Sequence, residues 1–240
     1  MAGIQPPDRP DCNRVSINNR RGNMDKREFL ITFSAAAAGA LLPTRCAHAY
    51  LQCQQTAVGE ACEAGVARAR LPTFYAFQEL PQWCWAASVS MIFKYYGYDV
   101  SQQQIVEAVY GATVNLPAMA GATISQQLNR EWVDARGRRF RSTMQGLFDA
   151  DAGVMTLNNQ EIIQTLASER PLLLGNTTHA VVLTAIGYFA TPMGPNIVNI
   201  GVLDPWPGIG MRGAQSPAEL VPMPYGGALR YLALPLVQPA

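Results

Sequence analysis

The sequence predicts an α+β domain in which a helical half precedes an antiparallel β-sheet half. Three observations carry this reading. Between Cys84 and Ser168, apolar residues recur at helical spacing, and the segments open on capping residues. From Pro171 onward the chain turns to apolar runs separated by Gly and Pro, the pattern of strands joined by tight turns. Helices first and strands afterwards, rather than strict alternation, belong to α+β architecture. The length of 240 residues, with 49% hydrophobic and 15% charged, suits one globular domain, or two small subdomains, behind a leader.

The front of the chain, residues 1–49, reads as a leader, with an export signal over about 24–49. Asp25-Lys26-Arg27-Glu28 precedes an Ala-rich apolar run from Phe29 to Leu42, then Pro43 and a small-x-small site at Ala47-His48-Ala49. The run is shorter than the roughly 20 residues that a membrane-crossing helix needs. An amino-terminal membrane anchor or a buried helix is the alternative reading. The text KREFLI is similar to a twin-arginine signal, with Lys26 replacing the first arginine. Export would therefore deliver the protein to the periplasm or outside, with membrane contact only in transit. Residues 1–49 hold 7 Lys+Arg and 4 Asp+Glu, which leaves 11 and 13 for the rest. With a formal net charge of +1 there is no basic footprint for nucleic acid.

Residues 50–76 read as an extension or linker, and residues 77–240 as the functional domain. Cys53 and Cys62 lie close together in a chain bound for an oxidising compartment. They form either a disulfide that closes a short loop or two free thiols. No second Cys/His pair stands near them, so no metal site is expected, and nothing calls for a cofactor.

The first helix is expected over Cys84–Tyr96, with Ala87, Met91, Ile92 and Tyr95 on one face and Gly97 as its stop. Ser101 and Gln104 form a capping-box pattern for a second helix, ending near Tyr110-Gly111. Residues 112–122 read as a loop, and Ser125 to about Asp134 as a third helix. Arg136-Gly137-Arg138-Arg139 reads as a solvated basic turn. Asn158 or Asn159 caps a fourth helix over Gln160–Ser168. Strands are expected at Leu172–Leu174, Ala180–Tyr188, Asn196–Leu203 and Leu229–Leu236.

Two residues stand out chemically. After Ala49 the chain has a single histidine, His179, and one cysteine that opens a predicted helix, Cys84. A thiol attacks as thiolate, and both a helix amino terminus and a nearby imidazolium favour that form. His179 sits where the loop Asn176-Thr177-Thr178 enters a strand. Taken alone, each residue reads as ordinary packing; together they suggest a nucleophile and its base.

The stretch QELPQWCWAAS, Gln78 to Ser88, resembles the active-site segment of papain-like cysteine peptidases, with a glutamine six residues before Cys-Trp-Ala. The later blocks THAVVLTAIGY and VNIGVLDPWPG are similar to the His and Asp blocks of bacteriocin-leader peptidases and of effector-type bacterial cysteine proteases. The resemblance implies a papain-like fold, with the nucleophile on the helical half and His and Asp on the sheet. It implies that Cys84 attacks a peptide carbonyl, His179 shuttles the proton, Asp204 orients the ring and Gln78 donates to the oxyanion. Asn196, Asn199 and a turn-forming role for Asp204 compete with the third assignment, and Gln82 competes with Gln78. Trp85 is expected in the core, Trp83 along the cleft and Trp206 over the Asp–His contact. The substrate would be a protein or peptide. The alternatives are a Cys-His-Asp acyltransferase, transglutaminase-like enzyme or amidase, and a catalytically inert binding module.

Overall fold

The computed structural model describes residues 50–240. The expected export signal lies outside the described residues. Within them, no helix is long and apolar enough to cross a membrane.

The chain opens with a hairpin of β1 (Tyr50–Thr56) and β2 (Gly59–Gly65), which turns at Gly59 with φ 129°. Four helices follow: α1 (Leu71–Phe74), α2 (Cys84–Tyr95), α3 (Gln102–Tyr110) and α4 (Gly121–Leu128). Next come β3 (Glu131–Val133), β4 (Arg139–Asp149), β5 (Val154–Met155) and α5 (Asn159–Ala167). The chain finishes with β6 (Leu172–Asn176), β7 (Ala180–Phe189), β8 (Asn196–Asp204), β9 (Gly210–Gly213) and β10 (Leu229–Pro239). All ladders between these strands are antiparallel, in the order β1-β2-β7-β6-β10-β4-β3, with β8 on β7 and β9 on β8.

The sheet is covered on both faces. Side chains alternate along each strand. Leu173, Val182, Tyr231 and Ala233 face α2, α3 and α4, whereas Leu172, Leu174, Val181, Leu183, Leu232 and Leu234 face α5. This two-sided burial is why the strands read as unbroken apolar runs. Helix α2 buries Trp85, Ala86, Ala87, Val89, Met91, Ile92 and Phe93, so it is apolar around most of its circumference and runs through the middle of the first core.

Capping chemistry sets the helix starts. Ser101 accepts the Gln104 N–H at 3.1 Å, but the Gln104 side chain donates to the Val133 carbonyl, so only half of the expected capping box forms. At α5 the box is complete, Asn158 and Glu161 each accepting the other's backbone N–H.

One expectation needs correction here. The third helix starts earlier, at Gly121, and ends at Leu128; the residues expected to finish it form β3. The segment 50–76 carries two strands and α1. Strand β2 pairs with residues 185–189 of β7, the half of that strand away from His179. Cys53 and Cys62 face each other in the hairpin register and form a disulfide.

Candidate active site

Cys84 is the first residue of α2 and the free cysteine among the described residues; it is half-buried. Its N-cap, Trp83, supplies no side-chain cap, so the first-turn N–H groups are left to whatever sits before the helix. The approach to the helix is tied to the far side of the site. The Gln78 N–H donates to the Pro205 carbonyl at 2.7 Å, and the Tyr75 hydroxyl donates to the Asp204 carbonyl at 3.1 Å. These two bonds fix the loop before Cys84 against the end of β8.

His179 is placed by the β6–β7 turn. The Asn176 side-chain oxygen accepts the N–H groups of Thr178 (2.9 Å) and His179 (2.7 Å), and the Asn176 N–H donates to the His179 carbonyl. The ring then points at the end of β8, where Nε2 lies 2.7 Å from Asp204 Oδ1. With Nε2 so engaged, Nδ1 is the nitrogen left for Cys84, which interacts with the ring.

Asp204 is almost fully buried at 1% exposure, so its charge survives only because both carboxylate oxygens are hydrogen-bonded. Oδ1 also accepts the Trp206 N–H at 2.9 Å, and Oδ2 accepts Arg212 Nε at 2.7 Å. The turn-forming role and the ring-facing position of Asp204 are therefore both realised. Asn199 instead accepts the Ile200 N–H, and Asn196 is exposed. Burial favours the neutral Asp204 carboxyl, but the bonds from His179, Arg212 and Trp206 outweigh it and hold its pKa down, to about 2. Burial likewise disfavours the charged imidazole, yet hydrogen bonds to Asp204 and Cys84, with the attraction of those groups, push His179 up to about 9.

Gln78 is buried, and its Nε2 donates to the carbonyls of Leu80 (3.1 Å) and Pro81 (2.8 Å); Oε1 has no partner among the described residues. Its amide thus braces the turn that leads into Cys84. Gln82 is exposed, and its backbone N–H donates to Asn115. Trp85 is in the core as expected. Trp83 is a correction: it is 2% exposed rather than lining the cleft, and its indole N–H donates to the Val114 carbonyl. Trp206 is half-exposed and sits edge-on to the His179 ring with centroids 6.4 Å apart. Sequence reasoning missed Arg212 and Glu219. Both lie in a Gly-flanked four-residue strand and the 3-10 turn after it, where neither periodicity nor spacing marks them. An open hollow of about 410 Å³ beside α3, β3 and β4 contains none of these groups.

A thiol at a helix start, an imidazole and a buried carboxylate behind the ring are the kinds of group that a cysteine hydrolase uses. Residues 66–216 match the family described as papain-like cysteine protease AvrRpt2, and the chain belongs to that family. It is a cysteine-type peptidase with a papain-like α+β fold. Among curated proteins none matches the chain. Two solved structures are similar to it. One is a double glycine motif protease from an AMS/PCAT transporter in complex with the leader peptide, at 16% identity and TM-score 0.37, covering 73% of this chain and 98% of that one. The other is UfSP from C. elegans, at 15% identity and TM-score 0.39, covering 76% of this chain and 33% of that one.

Proposed function

We propose that the protein is an exported peptidase that cleaves peptide bonds through Cys84, His179 and Asp204. The observation that carries this reading is the 2.7 Å His179–Asp204 contact, which leaves the other ring nitrogen to the thiol at the start of α2. Cys84 Sγ attacks the scissile carbonyl carbon as its proton resides on His179. The C=O π electrons move onto oxygen, and the Cys84 backbone N–H stabilises that charge. Gln78 joins as a second donor by exchanging one of its bonds to Leu80 and Pro81 for the oxyanion. Collapse expels the amine, which takes the proton from His179, and leaves a thioester. Water, deprotonated by the same imidazole, then releases the acid and restores the thiol.

Asp204 keeps the ring in one orientation and stabilises its charged form. The Cys53–Cys62 pair supports the export reading, because disulfides persist in oxidising compartments. Amino-terminal sequencing of protein recovered from outside the cytoplasm should begin at Tyr50. A peptide library incubated with the purified protein should yield new amino termini, and Cys84→Ala should yield none. Cleavage by Cys84→Ala at the original rate would dismiss the assignment.

A further inference from the structure

Resting on that reading of Cys84, His179 and Asp204, we propose that Arg212 and Glu219 are positioning residues that lock the Asp204 carboxylate, and through it the His179 ring, into one working geometry. Asp204 pairs with Gly210 across the β8–β9 ladder, and Val202 pairs with Arg212. Arg212 is thus the diagonal neighbour of Asp204 on the same face, within reach of a long side chain. Its Nε donates to Asp204 Oδ2 at 2.7 Å. The other end of the guanidinium is held in turn. One terminal nitrogen donates to the Gly213 carbonyl (2.8 Å) and to Glu219 (3.1 Å), and the other to the second Glu219 oxygen (3.4 Å). Glu219 also accepts the Gln215 N–H at 3.0 Å.

The chain of charges runs His179, Asp204, Arg212, Glu219, alternating in sign when the imidazole is protonated. It is buried: side-chain exposures are 18%, 2%, 12% and 7% in that order. By contrast, the pairs Arg139–Glu131, Arg141–Glu131 and Arg68–Glu63 are largely exposed. Desolvating four charges opposes folding unless the geometry is good, and stability alone is weak grounds for such a cluster. What the cluster does supply is constraint. A carboxylate held at one oxygen can rotate about its terminal bond. Asp204 is held at Oδ1 by the Trp206 N–H and at Oδ2 by Arg212, so Oδ1 is left aimed at His179 Nε2. Arg212 also keeps Asp204 ionised, so the proton stays on the ring. The other groups facing this pair are Cys84, which acts on the ring, and the Tyr75 hydroxyl against the Asp204 carbonyl.

The test uses the full chain and reads Cys84 alkylation by iodoacetamide across pH, with mass spectrometry identifying the modified thiol and thermal unfolding run in parallel. Arg212→Met should slow alkylation near pH 7 on the order of 10- to 100-fold, the usual worth of a hydrogen bond to a charged group. It should also move the acid limb of the profile upward, as Asp204 becomes easier to protonate. Arg212→Lys restores the charge but not the fork, and should recover the acid limb while regaining only part of the rate. Glu219→Gln should lose less than about tenfold, because its amide oxygen still accepts from Arg212. A wild-type profile in Arg212→Met, or a loss that follows only the unfolded fraction, would overturn the proposal. Should wild-type Cys84 alkylate no faster than a simple thiol, the underlying reading fails first and takes this one with it.

Discussion

Replacing Asp204 with Asn makes a nearly isosteric change at the contact that organises the site. The amide oxygen can still accept from His179 Nε2, so the ring keeps a partner at the 2.7 Å position, but the negative charge is gone. In the native protein His179 stands near 9 against an ordinary 6.5, which corresponds to roughly 3 kcal/mol of preference for the imidazolium at about 1.4 kcal/mol per pKa unit. Burial opposes that preference, and Cys84 remains as the other group that favours the imidazolium, so removing the Asp204 charge should bring the midpoint down from about 9. The chain has 2 histidines, His48 and His179, so an NMR titration of the imidazole C–H signals reads this directly.

Linkage fixes the sign for stability. The raised His179 pKa contributes stability that is fully present below about pH 6.5 and is lost as pH rises through about 9. The depressed Asp204 pKa contributes stability present above about 3.8 and lost as pH falls through about 2. Asp204→Asn should therefore be most destabilised relative to the native protein between about pH 4 and 6.5, with the gap closing toward pH 9. A His179 midpoint that stays near 9 in the variant would refute the pairing argument.

Other expectations follow from single elements. Gln78→Ala should lower kcat on the order of 100-fold with little change in KM, as loss of an oxyanion donor does; a fall in Tm with unchanged kcat would leave Gln78 only its turn-bracing role. Leu166 is fully buried between α5 and the sheet, so Leu166→Ala should cost about 2–5 kcal/mol in denaturant unfolding while the folded fraction keeps its activity. Reducing Cys53–Cys62, whose sequence separation is 9, should cost at most about 2–3 kcal/mol of stability and leave cleavage intact. The reason is that β2 joins β7 at residues 185–189, away from His179.

The blocks that build the candidate site were legible because local pattern and site coincide there. The helix begins at Cys84, the strand begins after His179 and the Asp-Pro turn follows β8. Strand β4 was missed although its side chains alternate, because two of its inward positions are Ser142 and Gly146, which carry no apolar signal. Strand β2 escaped for a similar reason: its buried residues are Ala61, Cys62, Ala64 and Gly65, small groups that pair with β7. The expected third helix ran too far because Glu131-Trp132-Val133 continues an apolar period, whereas β4 captures those residues as an edge strand through pairs such as Trp132 with Phe140. Trp83 was expected in the cleft because it neighbours the nucleophile; the Val114 carbonyl instead satisfies its indole N–H inside the core. The partners of Asp204 on β9 depend on register, which one sequence does not reveal.

The central claim is that Cys84 is a nucleophile activated by His179. It is tested most directly by the rate of Cys84 alkylation from pH 5 to 10, in the native protein and in His179→Ala. At neutral pH the native thiol should react faster than the thiol of the variant, and its profile should carry an inflection near pH 9, where the imidazolium is lost, that the variant lacks. Superimposable profiles would contradict the account.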